Sequence, residues 1–351
     1  MEIVGPDRPT LVERLLGALP LPFAVVCIIF GALIGPVGQY LAIYGDTGSF
    51  DEAFTRTILA AYGTNGALSL EVGVVGALLY TLTTFYLFFG IRYMRSRVAA
   101  AESTFSQLTQ SKDAYRRAFG GVSRNWGPAV ISIIFYAVFI PYALMSVGTG
   151  GAYFAAYGLL STFAIGAAIG TLVWVYARSL WGLHRFGQEE LQLKSFYEDR
   201  TLGLRPMGSL ALSLAFSFFV VCALGILNVF IAPDPTSIVS VAGLTFFGTA
   251  MFVLPLNGIH RRMLSEKQGS QQRVRRDFAR LVEDPEALGK GDPAAEMSEV
   301  RKLISYQLIE QKANSIASWP FDTGVVGRFT AILLSVTAIL LSTIIREVLH
   351  F

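Results

Sequence analysis

Residues 152–185 read AYFAAYGLLSTFAIGAAIGTLVWVYARSLWGLHR. From Ala152 to Ala177 no side chain carries a charge, and Arg178 and Arg185 follow at once. A helix needs about 20 mainly apolar residues to cross the hydrocarbon of a bilayer. This stretch is long enough, and it ends in cations. The same pairing of apolar run and arginine recurs along the chain and decides the fold class.

Six further windows share the apolar character: Leu21–Tyr44, Val72–Ile91, Pro128–Val147, Ser209–Ile231, Ser237–Leu256 and Val326–Ile345. The expected architecture is an all-α, polytopic helical membrane bundle of seven transmembrane helices with cytoplasmic helical extensions. Composition agrees. Of 351 residues, 53% are hydrophobic and only 15% charged, with a mean hydropathy of +0.52. A soluble domain of this length needs a more charged surface. The net charge of +3 is small and spread over several loops, so no nucleic-acid partner is expected.

The basic residues fix an orientation. Arg8 and Arg14 precede the first span. Arg92, Arg95, Arg97, Lys112, Arg116, Arg117 and Arg124 lie between the second and third. The segments after the fourth and sixth spans hold the rest, with Arg56, Arg328 and Arg346 the exceptions among 28 Lys and Arg. Cytoplasmic loops are the ones enriched in Lys and Arg. The expected topology therefore has the N-terminus in the cytoplasm and the C-terminus outside, in the cell inner or plasma membrane. The first apolar run is too long for the core of a signal peptide and reads as a retained span. Pro20 and Pro22 suit the start of its helix.

The other gaps are short or acidic. Gly148–Gly151 and Pro233–Pro235 read as tight turns. The gap from Asp46 to Leu70 is acidic at Asp46, Asp51 and Glu52, with Glu71 just beyond. Spans two, four and six leave through similar sequences: Gly90-Ile91-Arg92, Gly182-Leu183-His184-Arg185 and Gly258-Ile259-His260-Arg261. Each exit is expected to run on as a polar helix. The chain then divides into a six-span region of three hairpins (1–258), a cytoplasmic helical segment (259–323) and a seventh transmembrane helix (324–351). Within the cytoplasmic segment, a helix continues span six to Val282. A breaker covers Glu283–Pro293, and a second helix runs from about Ala294 to Ser318 with Met297, Val300, Ile304 and Leu308 on one face. A shorter amphipathic helix is expected from Ser103 to Phe119.

Catalytic signatures are missing. There is no CxxC, HExxH, GxxxxGK[ST] or GxSxG. Cys27 and Cys222 lie in apolar runs and read as small hydrophobes of the bundle. No catalytic residue, cofactor or metal site is expected, and no enzyme. No span holds a carboxylate near its centre, which argues against a carrier coupled to protons or sodium.

What remains are uncharged polar groups. Gln39 and Asn228, with Glu71, form a candidate outer pocket, or else Gln39 and Asn228 make interhelical hydrogen bonds. His184, His260 and Trp319 form a candidate inner interface. Trp126, Trp174, Trp181 and Trp319 all fall near inner ends, as in an interfacial belt. The pairs Gly31/Gly35 and Gly166/Gly170 and the ridge Ser209/Ser213/Ser217 allow close helix approach, within one bundle or between copies.

Span seven lacks a hairpin partner. Thr330 and Thr337, and Ser335 and Ser342, share helix faces at a spacing of seven and are candidate pore-lining residues. They can equally bond back to the preceding turn. Seven spans with this orientation, long inner helices and a last span joined to a cytoplasmic helix resemble the layout of insect chemoreceptor channels. No characteristic motif of that family occurs in span seven. The resemblance implies a last span that lines an oligomeric pore. The expected function is thus an oligomeric passive channel or channel-like receptor. The alternative is a non-conducting scaffold or sensor subunit that binds a protein partner through its cytoplasmic helices. A third reading is an enzyme or carrier acting on lipid. The expected partners are the lipid bilayer, further copies of the chain and, on the alternative reading, that cytoplasmic protein.

Overall fold

The computed structural model describes residues 8–60, 70–109, 111, 113–147, 151–192, 199, 201–231, 235–282 and 293–315. It also describes positions 327, 330, 331, 334, 337, 338, 341, 342 and 345 of the last segment. The chain is nearly all helical. The helices are α1 (Leu11–Leu16), α2 (Phe23–Ile34), α3 (Pro36–Thr47), α4 (Phe50–Phe54), α5 (Leu70–Phe105), α6 (Ala114–Phe119), α7 (Trp126–Val147), α8 (Ala152–Gln188), α9 (Arg205–Ile231), α10 (Pro235–Val282) and α11 (Pro293–Asn314). No strand occurs among the described residues, only one isolated bridge between Thr109 and Leu191.

Among the described residues, five helical stretches are long and apolar enough to cross a membrane: Phe23–Thr47, Gly73–Phe105, Ala152–Gln188, Arg205–Phe230 and Ser237–Arg276. This is the build of a multi-pass membrane protein. The apolar part of α7, Trp126–Pro141, is shorter, and most of the expected seventh span lies outside the described residues.

Helices α5, α8 and α10 have 36, 37 and 48 residues. At 1.5 Å per residue they run about 54, 55 and 72 Å, against about 30 Å of hydrocarbon. Each therefore overhangs a membrane. The spans leave at their arginine-bearing ends without a helix break, as the exits at Gly90, Gly182 and Gly258 suggest.

The first span is two helices, not one. Pro36 opens α3, and the backbone turns at Gly35. Proline cannot supply the amide that would continue the ladder. The Tyr157 hydroxyl of α8 ties the break down, donating to Ile34 O and, at 2.9 Å, to Gly35 O, which also accepts from Gln39 N at 3.1 Å. Gly38 is part of the same device. A Cβ there would collide with Leu33 O and lie 2.7 Å from the Tyr157 ring.

The small-residue pairs are used inside this chain. A Cβ on Gly31 would sit 2.9 Å from Thr81 O of α5, and one on Gly170 would sit 2.8 Å from Pro128 O of α7. α2 thus packs backbone to backbone on α5, and α8 on α7. Both free cysteines, Cys27 and Cys222, are buried in the core.

The two ends of the bundle differ. One end gathers cations and the long overhangs. There Arg95 Nε meets Glu13 at 2.8 Å, and Arg14 Nη2 donates to Asn125 Oδ1 at 3.4 Å. Arg117 lies 3.6 Å from Glu189. Arg262 Nη1 donates to Gly187 O and Glu189 O at 2.6 and 2.9 Å, placing a cation on the last carbonyls of α8. At the other end the Asp46 carboxylate, from the last turn of α3, accepts from the amides of Tyr153 and Phe154 at 3.0 and 2.9 Å. The first turn of α8 begins at Gly151, which has no side chain to cap it. Asp46 supplies the cap from a distant part of the chain. Asp46→Ala should therefore cost about 0.5–2 kcal/mol, whereas Asp51→Ala should stay within about 0.5 kcal/mol. Thermal melts in detergent compare the two, and equal losses would remove the capping role.

One expectation fails. Residues 103–119 are not one amphipathic helix. α5 ends at Phe105, turns follow, and α6 starts at Ala114. The reason is aromatic. Phe105, Tyr115, Phe119 and Phe186 are all fully buried. Phe105 and Phe186 stack at 5.2 Å and Tyr115 and Phe119 at 4.5 Å. The Tyr115 hydroxyl donates to Val98 O, further back on α5. A straight helix would carry Tyr115 away from Phe105, so the chain folds back to close the cluster. The helix expected from about Ala294 to Ser318 is α11, which starts at Pro293 and ends at Asn314. Gln271 Nε2 of α10 donates to Asn314 Oδ1 at 2.7 Å.

Candidate functional site

Among the polar residues of the apolar region, Asn228 has the clearest role. Its side-chain amide donates to Thr83 Oγ1 of α5 at 2.7 Å and to Leu224 O at 2.9 Å. It is an interhelical hydrogen bond between α9 and α5. Tyr176 makes a second such link, donating to Gly248 O at 2.9 Å while it stacks on Phe218 at 4.2 Å. Gln39 is half-buried in α3, one turn beyond the break at Gly35. Glu71 belongs to the first turn of α5. Thr83 lies twelve residues further on, about 18 Å along that helix.

The histidines lie where α8 and α10 meet. His184 faces Gly258, where a Cβ would come within 2.9 Å of its ring. Its Nε2 is 3.1 Å from Gln188 Nε2, and its ring lies 5.5 Å from Trp181. His260 is two residues beyond Gly258 on α10 and half-buried. Trp319 lies outside the described residues. Among the described residues no three His, Cys, Asp or Glu side chains gather as metal ligands.

Three tryptophans mark the cationic end. Trp126 and Trp174 pack at 5.3 Å, and Trp174 Nε1 donates to Gly121 O at 3.1 Å. Trp126 and Trp181 are exposed. These aromatics flank Arg124, whose guanidinium lies 5.9 Å from the Trp126 ring. The sequence pattern locates the tryptophans but not the turn at Gly121 that receives Trp174.

Of the last span, Thr330, Thr337 and Ser342 are helical and exposed, and Ser335 lies outside the described residues. Leu334 and Leu341 fall on the same side of the helix and are 64% and 55% exposed. Thr330, Leu334, Thr337 and Leu341 follow one another at helical spacing, so hydroxyl and leucine alternate along one uncovered stripe.

Comparison with known protein families, with characterised proteins and with solved structures finds no match for this chain.

Proposed function

We propose that the chain is a seven-span membrane protein, N-terminus inside and C-terminus outside, that assembles through its last helix into a passive channel or channel-like receptor. The convergence of Arg14, Arg95, Arg117 and Arg262 on one end of the bundle supports the orientation, because cations collect on the cytoplasmic side. The uncovered stripe Thr330-Leu334-Thr337-Leu341 carries the functional reading. Asn228, Tyr176 and Tyr157 spend their polar atoms on neighbouring helices. A pathway for ions is therefore proposed between copies, around the last helix, and not through the middle of one chain. Hydroxyls repeated every two turns offer oxygen ligands along it. Leucines between them form apolar constrictions, and such constrictions gate by losing water.

Single-channel recording from the purified chain in planar bilayers tests this. Conductance is expected, and Leu334→Ser should raise the open probability by relieving a constriction. Silence of both proteins under ligand, voltage and tension would sink the channel reading. A second reading has its own support: Ile304 and Leu308 of α11 are exposed at helical spacing, 52% and 57%. A scaffold subunit would dock a soluble partner there. Recovery of a stoichiometric partner that Ile304→Asp abolishes, together with no conductance, would favour it.

A further inference from the structure

Trp174, Arg178, Trp181 and Arg185 recur at i, i+4, i+7 and i+11 on α8, so one face alternates indole and guanidinium. The face lies at the cationic end of the bundle, just past the apolar run that closes at Ala177. Arg178 is half-buried, and its guanidinium rests on the turn at Gly121, whose carbonyl already accepts from Trp174. Arg178 makes no hydrogen bond or ion pair among the described residues. Among the described residues the charged groups that act on it are Arg185 and Arg124, both cations. A half-buried guanidinium with five donors and only like charges around it is costly. Glu13 and Glu189, acids of the same end, are engaged with Arg95 and Arg117. Among the described residues no acid lies against Arg178.

We propose that Arg178 and Arg185, with Trp126, Trp174 and Trp181, form a binding site for the phosphate of an anionic lipid headgroup. The shape fits that occupant. Guanidinium forks match phosphate oxygens two at a time. Indoles settle at headgroup depth, with the ring against acyl chains and the N–H in the polar layer. Exposed Trp181 and Trp126 would border the headgroup while the arginines reach its phosphate, and basic pockets on the cytoplasmic side are where such lipids bind. The proposal rests on the membrane reading alone, so failure of the channel reading leaves it standing.

The test uses the full chain in nanodiscs of phosphatidylcholine, with and without phosphatidylglycerol, and reads thermal stability against phosphatidylglycerol content. The wild type should melt higher as that content rises. Arg178→Gln and the more exposed Arg185→Gln should each need about tenfold more anionic lipid for the same rise, because each removes a charge-assisted contact. Arg273→Gln, on an exposed part of α10 near Glu266, should respond like the wild type. Inorganic phosphate added to phosphatidylcholine discs should give no rise. An unchanged lipid response in both Arg178→Gln and Arg185→Gln would overturn the site. An equal rise with inorganic phosphate would overturn the lipid as its occupant.

Discussion

Glu13→Ala is expected to lower stability by about 3–5 kcal/mol, the cost of leaving one member of a buried ion pair without the other. Glu13 and Arg95 are 4% and 13% exposed in their side chains. The Arg95 Nε–H lies 2.9 and 2.8 Å from the two carboxylate oxygens. The same carboxylate closes a capping box with Thr10, accepting its amide and hydroxyl at 2.9 Å each. One side chain thus caps α1 and ties it to α5. Removing the acid takes the carboxylate from Arg95 and the acceptor from the Thr10 amide and hydroxyl at once. Denaturant titration in bicelles measures the loss. The double variant Glu13→Ala/Arg95→Ala should recover part of it, since no lone charge remains. A loss within about 1 kcal/mol, the scale of an exposed pair, would refute the buried tie.

The second large effect lies at the break in the first span. Gly38→Val should destabilise by about 1–3 kcal/mol, the usual penalty for overfilling a packed site. A side chain there meets Leu33 O and the Tyr157 ring, both held by the break itself. The sign distinguishes this glycine from others. Nothing lies within 4 Å of a Cβ on Gly158 or Gly243. Gly158→Ala and Gly243→Ala should therefore leave stability unchanged or raise it by up to about 1 kcal/mol through helix propensity. The same bicelle titration reads all three. A harmless Gly38→Val would mean that the chain does not turn at Gly35 as described.

Sequence periodicity located these elements unevenly, for physical reasons. Apolar length and the arginines that end it are local, so the spans starting near Leu21, Val72, Ala152, Ser209 and Ser237 were legible, as was the run of α10 to Val282. The fold-back after Phe105 was not legible, because it is driven by Phe186, which is remote in sequence. The Glu13–Arg95 pair and the Asp46 cap join positions 82 and more than 100 residues apart. Asp46 therefore read only as one acid in an acidic gap. For the candidate sites, Asn228 reads from sequence as either a pocket group or an interhelical hydrogen bond, and its amide bonds Thr83 of α5. Arg178 drew attention only as a topology marker. Its spacing to Trp174, Trp181 and Arg185 is legible, but its seat on the turn at Gly121, with no acid against it among the described residues, needs three dimensions.

The two ties between α3 and α8 also order events in time. Asp46 and the carbonyls at the break leave the ribosome about a hundred residues before Tyr153 and Tyr157, and synthesis proceeds at about 5–20 residues per second. For several seconds the kinked first span lacks its ties to α8. When α8 arrives, its first turn finds a waiting carboxylate and its tyrosine finds waiting acceptors. The early segment acts as a template for the later one, so truncating it would impair the insertion of a helix that it precedes by half the bundle.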